Sequence, residues 1–180
     1  MAAFPSRWDR QQSFAPDGIT MDADLYLKGK YTFRLNAQKL ILVKKSVESR
    51  RHVLMKALLW GLYLPDYPGL QVEVPIGYKY KPDLVQMDAD GPLFWAEAGR
   101  VGAEKLRRLL KRFPRTHFAL AAWGSPLATL ETRIRRQARG VRRRAPVDVI
   151  VFPKDAGTRF IDPRGRIQIG RNDLNWRQLS

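Results

Sequence analysis

The sequence predicts an α/β sandwich in which helices flank one mixed central β-sheet in three layers. The length of 180 residues is enough for one compact domain with a buried core. A hydrophobic share of 44% is ordinary for a globular protein. Short apolar runs typical of strands alternate with longer periodic runs typical of helices. We expect a single domain over residues 21–180, after a flexible basic arm over residues 1–20 that prolines and glycine interrupt.

The first elements are two strands and a long helix. Strand-like runs cover residues 31–36 and 39–43. Ser46 is expected to cap the helix that follows, with Glu48 in its first turn. The sequence Asp66-Tyr-Pro-Gly69 ends that helix, and a strand over residues 70–75 comes next.

A β-hairpin is the clearest element of the chain. Its strands cover residues 80–87 and 93–98, joined by a turn over residues 88–92. If Asp90 is the centre of the turn, Asp83 and Glu97 lie directly opposite each other, with Cβ atoms about 5 Å apart. Like charges so placed are destabilising and need a positive partner. A divalent cation held by the two carboxylates and a backbone carbonyl satisfies this need, and so does a lysine or arginine from a neighbouring element.

The second half of the chain alternates helices and strands. A basic helix is expected over residues 102–112, and a strand over residues 117–122. Ser125 and Pro126 open a further helix that ends near Arg139. A strand over residues 147–152 and a weak hairpin, pairing residues 159–161 with 166–169, complete the chain.

The charge of the chain indicates a polyanionic partner. Lysine and arginine number 33 against 17 acidic residues, a net charge of +16. Seven arginines lie between Arg133 and Arg144, and no acid occurs between Glu131 and Asp148. Guanidinium groups match phosphate geometry, so we expect a nucleic-acid-binding surface here. Its members are Arg133, Arg135, Arg136, Arg139, Arg142, Arg143 and Arg144.

The sequence lacks the residues that several functional classes require. The absence of cysteine excludes disulfides, thiol nucleophiles and cysteine zinc sites. His52 and His117 are the only histidines, and we expect both to be packing or surface residues. Neither a Gly-x-Ser-x-Gly motif nor a glycine-rich phosphate loop is present. The longest apolar run is interrupted by Lys56 and is too short to span a bilayer, and the start lacks an apolar signal core, so a soluble cytoplasmic protein is expected.

The order of motifs resembles the PD-(D/E)XK nuclease superfamily. A helix bearing an acid is followed by YKPDLVQ, a hairpin, WAEAG and a basic helix. Within that superfamily, residues 97–108 (EAGRVGAEKLRR) are most similar to the YaeQ family. The resemblance implies a restriction-endonuclease-like sandwich in which Asp83 belongs to the PD element and Glu97 is the second acid. It also implies that Glu48 joins them in holding Mg²⁺ or Mn²⁺.

The sequence departs from the superfamily pattern at its lysine. Gly99 occupies the position two residues after the acid, as in YaeQ-like proteins, where a lysine of the following helix is thought to take over. Lys105 matches that lysine, and Arg100 and Arg108 are expected beside it on nucleic acid. The resemblance implies a Mg²⁺-dependent nuclease acting on DNA rather than RNA. A catalytically inactive nucleic-acid-binding protein and an interaction module for an acidic protein are the alternatives.

Overall fold

The fold is described by a computed structural model over residues 29–180, so the arm predicted over residues 1–20 lies outside it. The first half contains β1 (Gly29–Leu35), β2 (Gln38–Lys44), α1 (Arg50–Tyr63), β3 (Gln71–Val72), β4 (Leu84–Asp88) and β5 (Gly91–Ala98). The second half contains α2 (Ala103–Arg112), β6 (His117–Trp123), α3 (Leu127–Ala138), β7 (Val147–Phe152), α4 (Ala156–Phe160), a 3₁₀ turn (Arg171–Asp173) and β8 (Asn175–Leu179).

Six strands form one mixed sheet in the order β3-β4-β5-β6-β7-β8. The central pairs β5–β6 and β6–β7 are parallel, and the outer pairs are antiparallel. Parallel neighbours need a crossover connection, and α2 and α3 supply the two crossovers. Both cover one face of the sheet while α1 covers the other. The predicted three-layer α/β sandwich is therefore confirmed.

Alternate residues of the central strands build two separate cores. On β6, Ala119 and Ala121 pack with α1, whereas Phe118 and Leu120 pack with α2 and α3. This alternation follows from the two-residue period of a strand. Burying one large apolar side chain contributes about 1.5–3 kcal/mol, so both faces stabilise the sheet. No helix within residues 29–180 is long and apolar enough to cross a membrane.

Strands β1 and β2 form a separate two-stranded hairpin that packs on α1. Phe33 and Leu42 on its inner face are buried in the core that contains α1. Arg34 also bridges to Arg166, which joins the hairpin to the segment before β8. The hairpin shares its core with the sandwich. The single-domain prediction for residues 21–180 nevertheless stays a prediction, because residues 21–28 are not described.

The start of α1 differs from the prediction. Ser49, not Ser46, is its N-cap, and its side-chain oxygen accepts a hydrogen bond from the His52 amide at 3.2 Å. Glu48 precedes the helix and does not lie in its first turn. The reason is a turn in which the Glu48 amide donates to the Lys45 carbonyl at 3.0 Å, so the helix starts later.

Two predicted strands are shorter than expected. The strand over residues 70–75 contracts to Gln71–Val72, because Glu73 has a φ of 56°, outside the extended region. The strand predicted from residue 80 begins only at Leu84, after Pro82, which cannot donate to a sheet. Strand β5 begins two residues earlier than predicted, and a bulge at Gln86 and Met87 accommodates the tighter turn.

The predicted C-terminal hairpin is confirmed in part. Arg159 belongs to α4, but Ile161 bridges Ile167 in antiparallel fashion, and the Gln168 amide donates to the Phe160 carbonyl at 2.9 Å. The last strand is instead β8, which pairs with β7 at the edge of the sheet. The N-cap of α3 is Pro126, with no capping bond from the Ser125 side chain.

Candidate active site

The register of the β4–β5 hairpin brings Asp83 and Glu97 to one end of the sheet. Leu84 pairs with Ala96 and Val85 with Trp95, the register that was predicted. Asp83 directly precedes β4, and its Oδ2 accepts a hydrogen bond from the Ala98 amide at 2.7 Å. The Asp83 carbonyl accepts a bond from the Glu73 amide at 2.8 Å, so the backbone of Asp83 is held from both sides.

Glu97 is 6% exposed and has two donors. Trp95 Nε1 donates to its Oε1 at 2.8 Å, and Lys105 Nζ lies 2.7 Å from its Oε2. Burial raises the pKa of Glu97 above its ordinary value, and the charge of Asp83 adds to this effect, while Lys105 opposes it. The buried carboxylate of Glu97 thus carries negative charge that Lys105 only partly offsets.

Asp83 has a different cationic partner. His52 Nε2 lies 3.4 Å from Asp83 Oδ1 and also 3.4 Å from Glu48 Oε1. Burial acts to raise the pKa of Asp83, but the hydrogen bonds from His52 and the Ala98 amide outweigh it, so this pKa lies below its ordinary value. His52 therefore joins Asp83 and Glu48 when its ring is protonated.

Lys56 anchors the inner side of the cluster. This lysine is fully buried, and its Nζ contacts Glu48 and lies 2.6 Å from Glu73 Oε1. Burial acts to lower the pKa of Lys56, but the two carboxylates outweigh it and raise the pKa above its ordinary value. The ammonium group therefore stays charged inside the protein.

Three members of this cluster were not predicted from the sequence, namely His52, Lys56 and Glu73. Glu48, His52 and Lys56 are spaced four residues apart, which places them on one side of a helix. Lys56 also interrupts an apolar run, and a buried lysine needs a carboxylate partner. These two signals could have identified His52 and Lys56. No local pattern marked Glu73, which follows a two-residue strand.

Gly99 cannot be replaced by a lysine without strain. Strand β5 ends at Ala98, and Gly99 has a φ of +90°, a conformation that L residues rarely adopt. A Cβ atom at Gly99 would lie 3.7 Å from His52 Nδ1 and 3.5 Å from Met55 Cε. The ammonium group that contacts Glu97 is that of Lys105 in α2, at 2.7 Å.

The donor set suits Mg²⁺ only in part. No three acidic or histidine side chains within residues 29–180 converge as ligands of one metal ion. Mg²⁺, however, commonly uses only one or two carboxylates and completes its shell with water and substrate phosphate. Asp83 and Glu97 provide two such carboxylates. Burial and the charge of Asp83 raise the pKa of Glu97 and so disfavour its ionised form, a cost that a bound cation would relieve. The residues fit an ion shared with substrate and do not fit a closed protein cage.

A cavity of about 560 Å³ opens beside this cluster. Glu48, His52 and Glu73 line one part of it, and Lys45, Val47 and Ser49 line the rest. The cavity gives access to His52, which contacts Asp83. A ligand in this cavity would therefore lie next to the carboxylate cluster.

The arginine-rich segment is less available than predicted. Arg133 donates to the Val101 carbonyl at 3.0 Å. Arg143 donates to three backbone carbonyls and lies 4.9 Å from the centre of the Phe118 ring, and burial lowers its pKa to about 10. Both guanidinium groups satisfy backbone carbonyls, so the prediction that they face a ligand is corrected. Arg135 also pairs with Glu131 at 2.8 Å, although it is exposed.

The exposed part of the segment consists of five arginines, namely Arg135, Arg136, Arg139, Arg142 and Arg144. We call these five the arginine face. The end of the arginine face that contains Arg142 and Arg144 lies away from the carboxylates. Between them, Arg143 contacts the carbonyl of Thr116, at the level where β6 begins and His117 pairs with Phe94. Ala98, next to Glu97, pairs with Ala121 towards the other end of β6. Four residues of strand separate these levels by about 13 Å.

Arg100 and Arg108 occupy different positions. Arg100 is exposed directly after Gly99, beside the carboxylate cluster. Arg108 is exposed on α2 and pairs with Glu104, one turn earlier on the same helix. Arg100 is therefore the nearer of the two in sequence to the Glu97 carboxylate.

His117 belongs to a separate polar cluster at the opposite end of α1. The buried Asp148 accepts hydrogen bonds from the Tyr63 hydroxyl at 2.6 Å and from Gln178 Nε2 at 3.0 Å. His117 Nε2 lies 2.9 Å from the same carboxylate, and its Nδ1 lies 2.7 Å from the Tyr67 hydroxyl. This placement agrees with the packing role expected for His117.

Comparisons with known proteins identify a similar fold. No family model and no curated protein matches the chain. The crystal structure of YaeQ protein from Pseudomonas syringae is similar, with 20% sequence identity over 76% of this chain and 78% of that one, at a TM-score of 0.57. YaeQ protein from Xanthomonas axonopodis pv. citri matches at 16% identity over 68% and 72%, with a TM-score of 0.49. The first comparison shows that the chain has a YaeQ-like fold.

Proposed function

We propose that the chain is a Mg²⁺- or Mn²⁺-dependent phosphodiesterase that acts on nucleic acid, DNA rather than RNA, in the cytoplasm. One observation carries the proposal. Glu48, Asp83, Glu97 and Lys105 are distant in sequence, yet they lie together. His52 contacts both Glu48 and Asp83, Asp83 accepts a hydrogen bond from the Ala98 amide next to Glu97, and Glu97 contacts Lys105. Three carboxylates with a lysine resemble the site of the PD-(D/E)XK superfamily, and the YaeQ-like fold supports this assignment.

Each residue has a distinct role in this proposal. Asp83 and Glu97 would hold the ion, with Glu48 as a further acid reached through His52. A bound Mg²⁺ supplies an activated water and offsets charge on the scissile phosphate. Lys105 is positioned to stabilise negative charge that develops on the phosphate oxygens. His52 and the Ala98 amide fix the orientation of the Asp83 carboxylate.

Charge supports nucleic acid as the substrate. The net charge of +16 favours a polyanion, and the arginine face together with Arg100 exposes guanidinium groups to solvent. Phosphate contacts of this kind hold a nucleic acid without reading its sequence. The proposal therefore predicts binding that weakens steeply as the salt concentration rises.

Cleavage of labelled DNA tests the proposed hydrolysis. We expect Mg²⁺ or Mn²⁺ to support cutting of single- or double-stranded DNA, and Asp83→Asn and Glu97→Gln to abolish it. Asp90→Asn is the matched control, since it removes one negative charge at the turn end of the same hairpin. Equal cutting by all of these proteins would assign the activity to a contaminant and contradict the proposal.

A nucleic-acid-binding protein that does not cut is the second candidate. It is favoured by the partners that Asp83 and Glu97 already have in His52 and Lys105. The absence of cutting by a protein that binds DNA would establish this candidate. Binding to an acidic protein partner is distinguished by its survival after nuclease treatment of the sample.

A further inference from the structure

We propose that the outer face of the β1–β2 hairpin lies in the major groove of a DNA duplex and holds it against the candidate active site. This proposal rests on the proposed function, because it names how the substrate of that site is bound. The outer face consists of six residues that we call the ribbon face, namely Lys30, Thr32, Arg34, Lys39, Ile41 and Val43.

The ribbon face follows from the alternation of the two strands. Phe33 and Leu42 point inward and are buried. The neighbouring positions pair across the hairpin on the opposite face. These pairs are Lys30 with Val43, Thr32 with Ile41, and Arg34 with Lys39. The face thus holds three cations, three β-branched side chains and no acid.

The charges of the ribbon face are not neutralised within the described chain. No acidic side chain of residues 29–180 forms an ion pair with Lys30, Arg34 or Lys39. The guanidinium group of Arg34 donates to the carbonyl of Arg164, at 2.8 Å, which leaves its charge without a carboxylate partner among residues 29–180. Its pairing directly opposite Lys39 is destabilising on its own. An anionic ligand bound to both side chains would offset this repulsion.

Two apolar side chains of the ribbon face are open to solvent. Ile41, opposite Thr32 at the centre, is 45% exposed, and Val43, opposite Lys30 at one end, is 57% exposed. Methyl groups flanked by cations match the floor of a major groove, where thymine methyls lie between phosphate walls. A two-stranded antiparallel ribbon is also narrow enough to enter that groove, which is about 12 Å wide.

The hairpin leads directly into the candidate active site. Strand β2 ends at Lys44, and the next residue, Lys45, lines the cavity that contains Glu48 and His52. Val47 lines the same cavity and is 85% exposed. A duplex lying on the ribbon face would therefore pass the cavity. The three cations along the ribbon face favour a duplex, whose phosphates are repeated negative charges.

Salt-dependent binding in EDTA tests the ribbon face without any cleavage. Duplex affinity would be measured by fluorescence anisotropy with a labelled duplex of about 20 base pairs at several salt concentrations. The slope of log affinity against log salt concentration should fall in magnitude by about 2–3 in Lys30→Ala/Arg34→Ala/Lys39→Ala. The control Lys111→Ala/Arg115→Ala/Lys154→Ala removes the same charge from exposed positions outside both surfaces and should keep the wild-type slope. Equal slopes in the two triple variants would overturn the proposal.

A separate variant tests the two exposed apolar side chains. Ile41→Thr/Val43→Thr keeps the β-branched shape and the charge, so it should weaken duplex binding several-fold without changing the salt slope. Unchanged affinity would overturn the groove contact.

The outcomes separate this proposal from the proposed function. If the ribbon-face variant lowers the salt slope of duplex binding but the wild type never cuts DNA, the ribbon proposal is supported and hydrolysis is refuted. Cleavage of DNA together with a salt slope that is unchanged in the Lys30, Arg34 and Lys39 variant supports hydrolysis and overturns the ribbon proposal. Binding to phosphatidylserine vesicles without duplex binding would overturn the ribbon proposal in favour of a membrane surface.

Discussion

Substitution of Lys105 distinguishes a role in catalysis from a role in DNA binding. Its ammonium group contacts Glu97 at 2.7 Å and lies 5.6 Å from the centre of the Tyr80 ring. In the proposed hydrolysis, Lys105→Ala should leave DNA affinity nearly intact and reduce the single-turnover cleavage rate about 100-fold, the effect of removing one preorganised charge stabiliser. Lys111→Ala, at an exposed position further along α2 and outside both surfaces, is the control. A loss of affinity with unchanged turnover would assign Lys105 to phosphate contact.

Asp148 determines how the fold responds to acid. Burial acts to raise the pKa of Asp148, but hydrogen bonds from His117, Tyr63 and Gln178 outweigh it, so the pKa lies below its ordinary value. A lowered folded-state pKa contributes stability that is present above about pH 4, the pKa of an unfolded aspartate, and is lost as the pH falls further. Asp148→Asn should therefore lower the free energy of unfolding by about 2 kcal/mol at neutral pH, with a smaller deficit near pH 3.

Urea denaturation across this pH range measures the effect. Asp155→Asn, at an exposed carboxylate that makes no capping bond, should match the wild type throughout. A deficit for Asp148→Asn that stays constant with pH would show that charge is not the cause.

At the scale of elements, the turn at Gly165 attaches the β1–β2 hairpin to the rest of the chain. Its carbonyl accepts a bond from the Arg34 amide at 2.8 Å, and a Cβ atom there would lie 2.1 Å from the Thr32 carbonyl oxygen. Gly140 has a similar φ, 73° against 76°, but open space around it. Alanine meets the same backbone strain at both positions, but only at position 165 does its Cβ also clash with the Thr32 carbonyl. Gly165→Ala should therefore be less stable than Gly140→Ala by about 1–3 kcal/mol in urea denaturation. Equal stabilities would show that the hairpin adapts without cost.

The β4–β5 hairpin was predictable, because strand alternation and its turn are local signals. They gave the facing positions of Asp83 and Glu97. The partners of these acids were not predictable in full, since Glu73 reaches Lys56 only through tertiary packing. Strand β8 was missed because its sequence NWRQL lies at a sheet edge and is largely exposed, so it lacks an apolar pattern. The arginine count likewise could not show that Arg143 is held by backbone carbonyls.

For the whole molecule, the charge distribution predicts two separate surfaces that bind polyanions. The arginine face lies on the side of α3, and the ribbon face lies outside α1 on the other side of the sheet. Arg136→Ala/Arg139→Ala/Arg142→Ala should lower the log–log salt slope of duplex binding by about 2–3. The Lys111, Arg115 and Lys154 triple variant again serves as the charge-matched control. An unchanged slope would remove the arginine face from the binding surface.

A divalent-ion titration followed by thermal unfolding tests most directly whether Asp83 and Glu97 form a cation site. With a dissociation constant of about 1 mM, about 10 mM Mg²⁺ adds roughly 1.4 kcal/mol of stability. For a chain of this size, that corresponds to a rise in Tm of about 3–5 °C. The account predicts this rise in the wild type and in Asp90→Asn at matched ionic strength, and no rise in Asp83→Asn or Glu97→Gln. A wild type that does not respond to Mg²⁺ or Mn²⁺, or a response that survives in both site variants, would contradict it.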